Sequence, residues 1–195
     1  MQKKKLVAMV TAIALVGAVG IGSTLAYLSD TTDEVVNTVT VGTVGITLDE
    51  SDVVYEDGTG YIASGDARVT ENDYDLIVPG DSIYKDPVVH VASYSKECYV
   101  FMVADGLDDA VLNGFDFTID SNWVKADGVD ALDGVYVYAS TLEAGDDTAS
   151  FFADGNIDYG TDNTGMEDEL TITVSAAAVQ ASHVDSAADA YDILF

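Results

Sequence analysis

Two histidines, one cysteine and a crowd of carboxylates are the residues of this chain that could do chemistry. His90 and His183 lie far apart, and no His-Glu-x-x-His pattern sets two imidazoles one helical turn apart for zinc. His90 stands between Val89 and Val91 in an alternating run, which places it on the opposite strand face from those valines, at a surface or rim. A serine triad would call for a Gly-x-Ser-x-Gly elbow, and the sequence has none. Cys98, in Glu97-Cys98-Tyr99-Val100-Phe101, reads as a small buried core residue in a strand. As the only cysteine it permits no intrachain disulfide. No catalytic residue is assigned, and the chain reads as a non-enzyme.

Calcium is the one inorganic ligand the sequence suggests. Asp154, Asn156, Asp158 and Asp162 supply oxygens at positions 1, 3, 5 and 9 of a loop. That is the opening of an EF-hand pattern, because Ca²⁺ takes six to eight oxygens at short range. The pattern departs from an EF-hand twice: glycine falls at Gly160 instead of one residue earlier, and Gly165 stands where a bidentate Glu belongs. Paired acids elsewhere carry no signal, since 35 carboxylates make adjacency commonplace.

The elements that must position these groups are strands. Alternating β-branched residues over 35–48 slip phase near Gly42, which predicts a bulge there. Further strands are expected at 53–55, 67–70, 83–91, 97–104, 115–119, 135–139, 150–152 and 170–177, each bounded by Gly, Asp, Asn or Pro. Residues 55–72, rich in Gly and Asp, read as a long exposed loop. Residues 107–112 could make one helical turn. Ser186 caps a predicted C-terminal helix over 186–194, with an apolar stripe at Ala187, Ala190, Tyr191 and Leu194. The expected fold class is all-β: an antiparallel β-sandwich with a short C-terminal helix.

The first residues address the chain. A basic head (Met1–Lys5), an apolar run over 6–21 and a small-residue exit through Ala26 form a secretory leader, with cleavage between Ala26 and Tyr27. An uncleaved anchor over 6–25 is the competing reading. Cleavage removes Lys3, Lys4 and Lys5 and no acid, so the net charge moves from −28 to −31. Such a surface repels nucleic acid and anionic lipid. With 48% hydrophobic residues the chain has material for one core. The expected organisation is a leader (1–26), an N-terminal strand segment (27–40) and one sandwich domain (41–195). The membrane is met only through the leader.

Thr24-Leu25-Ala26-Tyr27-Leu28-Ser29-Asp30, then Asn37–Gly42 and Val44–Glu50, resemble the TasA/camelysin family of Gram-positive bacteria. The resemblance continues at Leu76-Ile77-Val78-Pro79-Gly80-Asp81 and at 172–181. It implies release by a dedicated signal peptidase and residence outside the cell, on its surface or in a biofilm matrix. It also implies a jelly-roll-like form of the β-sandwich and head-to-tail homopolymer fibres formed by donor-strand exchange. Tyr27, Leu28, Val35, Val36, Val39 and Val41 are the apolar groups that a donated strand would bring. Burying four of them would contribute on the order of 6–12 kcal/mol before ordering costs. The alternatives are a camelysin-like secreted metalloprotease, for which no zinc ligand set is recognisable, and a calcium-dependent surface adhesin or other binding module.

Overall fold

The computed structural model describes residues 43–75, 77–161 and 170–195. Among these described residues ten strands are arranged in two sheets. β1 (Ile46–Glu56), β2 (Gly60–Val69), β3 (Ser82–Tyr84), β4 (Val88–Val91), β6 (Phe115–Ile119) and β9 (Phe152–Tyr159) form one sheet, in the order β4-β1-β2-β3-β9-β6. β10 (Thr173–Gln180), β5 (Cys98–Asp105), β8 (Gly134–Tyr138) and β7 (Trp123–Lys125) form the other, in that order. Among the described residues the helices are α1 (Leu107–Leu112) and α2 (Ala187–Leu194). The molecule is thus the all-β sandwich with a C-terminal helix that its alternation predicts. Pairing is antiparallel throughout except between β2 and β3, which run parallel. After β4 the chain repeatedly crosses between the sheets, so both faces of the core are built from distant segments.

The core between the sheets is aromatic. Phe151 touches Trp123, Tyr136 and Phe152 edge-on at centroid distances of 5.8, 5.0 and 5.2 Å, the favoured arrangement for ring quadrupoles. Cys98 is fully buried among these apolar groups, and burial pushes its thiol above the ordinary range. A second cluster lies on the outer face of the smaller sheet. There α2 lays Ala187, Ala190, Tyr191 and Leu194 over Phe101, Val135 and Val137. The Ser186 hydroxyl caps this helix by accepting from the Asp189 amide at 3.2 Å.

Three expectations need correction. Residues 55–72 are not a long loop: β1 and β2 form a hairpin over them, turning only at Asp57-Gly58-Thr59. The loop-like composition instead reflects an exposed ribbon at 64–68, where the strands lose register. The run 83–91 is two strands, because Lys85-Asp86-Pro87 breaks it and proline has no amide hydrogen to donate to a ladder. Residues 154–158 lie in β9, not in a loop. The phase slip expected at Gly42 lies outside the described residues. The observed irregularity falls between Ser51 and Val53. It buries two consecutive residues, Glu50 and Ser51, which a regular strand would send to opposite faces.

Gly60 shows how tightly the parallel pair is fitted. Its φ is +105°, and a Cβ there would run into the Ser82 carbonyl of β3. Gly60→Ala is therefore expected to lower unfolding free energy by about 2 kcal/mol or more. Gly58→Ala, whose Cβ would meet open space, is expected to cost less. Urea denaturation of both variants checks the ranking.

Candidate functional site

The sheets are unequal, six strands against four, and the shorter one ends at β10. One side of β10 is fully paired with β5, from Thr173 opposite Asp105 to Gln180 opposite Cys98. Its other side pairs with no strand among the described residues. The remaining edges are shorter, and β4 is covered by the segment after Glu143. Gly145 donates to Val91 O at 3.0 Å, Val91 to Asp146 O at 2.8 Å and Thr148 to Val89 O at 2.9 Å. The β10 sequence, Thr-Val-Ser-Ala-Ala-Ala-Val-Gln, carries none of the charges or prolines that usually protect an edge.

A groove of about 860 Å³ lies beside this edge. Ile172, Val174 and Ala176 form one wall. Leu48, Ile83 and Pro87 contribute to the other side. All but Pro87 pack against the main core or belong to it, so the groove reaches the interior of the sandwich.

The far wall is polar and densely bonded. The Lys85 ammonium donates to Glu50 Oε2 at 2.8 Å, and both side chains are more than nine-tenths buried. The Asn72 amide nitrogen donates to Glu50 Oε1 at 3.0 Å and to the Ser51 carbonyl at 2.9 Å. Asp86 accepts from the Ser51 amide (2.6 Å), the Ser51 hydroxyl (2.9 Å) and Arg68 (2.7 Å). Arg68 also donates to Asp49 at 2.7 Å. Burial pushes the Tyr74 hydroxyl well above its ordinary pKa, with the Glu50 and Asp86 charges adding to the effect. The arrangement is dictated by dielectric: a buried carboxylate or ammonium is tolerated only when paired and fully bonded.

His90 ends the network at the rim. Its Nδ1 lies 2.6 Å from Asp147 Oδ1 and its Nε2 lies 3.0 Å from Asp49 Oδ1. Two carboxylates facing both ring nitrogens favour the doubly protonated imidazolium, since each nitrogen must donate. Burial works against that charge, but the bonds and charges of Asp49 and Asp147 outweigh it and raise the His90 pKa. At Asp49 burial likewise favours the neutral form, and Arg68 and His90 together overcome it and lower the carboxyl pKa.

The structure treats the sequence-derived candidates unevenly. Asp154, Asn156 and Asp158 are exposed along β9, which kinks through left-handed backbone at Asp154-Gly155, and are spread along the strand instead of gathered in a loop. Asp162 lies outside the described residues, and no cluster of three or more His, Cys, Asp or Glu side chains poised for a metal occurs among those described. The cleavage pair Ala26 and Tyr27 and the strand residues Leu28, Val35, Val36, Val39 and Val41 also lie outside them. His90 sits at a strand rim, as alternation predicts. Glu50, Lys85, Asn72, Arg68 and Asp86 escaped notice in the sequence. Their signal was the scarcity of cations: after residue 26 only Arg68, Lys85, Lys96 and Lys125 are basic, and two of these four meet here.

Comparison with family models, curated proteins and solved structures returns no match. Among the described residues no helix is long and apolar enough to cross a membrane.

The His90 bridge generates a pH dependence with a definite sign. A raised folded-state pKa stabilises fully below the unfolded value, about 6.5, and that contribution is lost as pH rises through the folded value. Unfolding free energy measured by urea titration is expected to fall from pH 6 towards pH 8. In His90→Gln this fall should be flattened.

Proposed function

We propose that this chain is a secreted, non-catalytic structural subunit that assembles head-to-tail into extracellular fibres, its N-terminal segment completing the sandwich of a neighbour. One observation carries the reading: β10 offers an eight-residue edge that pairs with no strand among the described residues, beside a groove that opens onto the core. An added strand would satisfy the open N–H and C=O groups and place alternate side chains in the groove. Residues 35–41 alternate Val, Asn, Val and Val on one face with Val, Thr and Thr on the other, which suits a strand apolar mainly on one side. The leader supplies the control, because cutting after Ala26 frees the segment only outside the cell. The TasA/camelysin resemblance points the same way and adds a Gram-positive biofilm matrix as the setting. A contact between unlike surfaces that does not close gives filaments.

Charge shapes the conditions. Subunits at −31 repel, and lowering the Debye length from about 30 Å at 0.01 M salt to about 8 Å at 0.15 M screens them. Protein beginning at Tyr27 is expected to form filaments visible by electron microscopy, faster at the higher salt. Deleting 27–38 should leave monomers at either ionic strength. Intact mature chain that stays monomeric at high concentration and moderate salt would refute the assembly reading.

A further inference from the structure

The Lys85–Glu50–Asn72 contact holds the parts of a covalent cross-link, and it does so whether or not the chain forms fibres. An amine and a carboxamide meet on the two oxygens of one buried carboxylate, at 2.8 Å and 3.0 Å. Glu50 and Lys85 are 6% and 8% exposed, and Asn72 is half-buried beside them. Tyr74 lines the same groove and, with Tyr61 edge-on to it at 5.1 Å, adds apolar surface near the carboxylate. A carboxylate bonded to the ammonium can take its proton and free a nucleophilic amine, and fixed proximity replaces an improbable encounter with an intramolecular step.

We propose that Lys85 and Asn72 join in an isopeptide bond, with Glu50 as the proton carrier. Glu50 takes a proton from the Lys85 ammonium across their hydrogen bond. The freed lone pair on Nζ attacks Asn72 Cγ, forming the new C–N bond. As the tetrahedral carbon collapses, the Cγ–Nδ2 bond breaks and a second Nζ proton passes by way of Glu50 to the departing nitrogen. Ammonia leaves, and Glu50 ends protonated against the new amide. Ammonium, carboxylate and carboxamide become secondary amide, carboxylic acid and ammonia, so atoms and charge balance and no oxidant or metal is consumed. The buried ion pair is exchanged for a neutral amide, which removes the desolvation strain that a low-dielectric site places on separated charges.

The position gives the bond a mechanical purpose. Asn72 follows β2 and Lys85 follows β3, the one parallel pair, which is joined by only two register positions. A bond between them would clamp that pair in a chain that has no disulfide, because Cys98 is its only cysteine.

Intact-mass spectrometry of the purified full mature chain tests this directly. The expected mass is lower than the sequence mass by one ammonia, and proteolysis should release a branched peptide joining Lys85 to Asn72. Asn72→Ala and Glu50→Gln should each restore the full mass. Wild-type protein at full sequence mass overturns the proposal whatever the variants do. An ammonia deficit that survives in Asn72→Ala, or a deficit without the branched peptide, overturns it too, because the loss then arises elsewhere.

Discussion

A strand edge without a partner strand among the described residues is the constraint around which this sandwich is arranged. Six strands face four, and the shortfall falls at β10, where backbone donors and acceptors run beside a groove into the core. Water can satisfy those groups, so the fold is viable alone. Yet an eight-residue edge free of charge and proline is a template that most folded proteins suppress. Here an edge of the larger sheet receives the protection: the segment at 145–148 pairs over β4. The asymmetry leaves β10 without such a cover among the described residues.

The groove keeps its shape because its polar wall is rigid. The irregularity in β1 turns Glu50 and Ser51 inward together, and each then requires a partner. Lys85 and Asn72 meet Glu50, while Asp86 and Arg68 meet Ser51. These partners come from β2 and from the exits of β2 and β3, so one network ties β1, β2 and β3, of which the parallel β2–β3 pair is joined at only two register positions. Removing a single member would leave a buried charge or amide unpaired, which is why such networks rigidify when complete and fail when partial. The acidity of the chain sharpens the effect: with four cations after residue 26, placing two in one cluster is a large share of the available positive charge.

How much of this was legible from residues alone follows from range. β5, β6 and β8 announce themselves through period-two runs of β-branched and aromatic residues between turn formers, a local signal. The α2 helix and its Ser186 cap are equally local. The β1–β2 hairpin was hidden because its ribbon is exposed and rich in Gly, Ser and Asp, so composition imitated a loop. β9 was hidden for the same reason, its exposed face being Asp154, Asn156 and Asp158 with Phe152, Ile157 and Tyr159 buried between them. The network could not be read at all, since Glu50 and Lys85 stand 35 residues apart and meet only through β1 irregularity and the break at Lys85-Asp86-Pro87. The unpaired edge is likewise a property of strand order, which no local pattern encodes.

Hydrogen exchange along β10 tests the account most directly. In chain lacking residues 27–38, amides of 173–180 that point away from β5 should exchange rapidly, while their neighbours bonded to β5 stay protected. In assembled mature protein both sets should be protected, giving slow exchange at every β10 position. Outward amides that are already slow in the shortened monomer, or that stay fast in the assembly, would contradict the central claim.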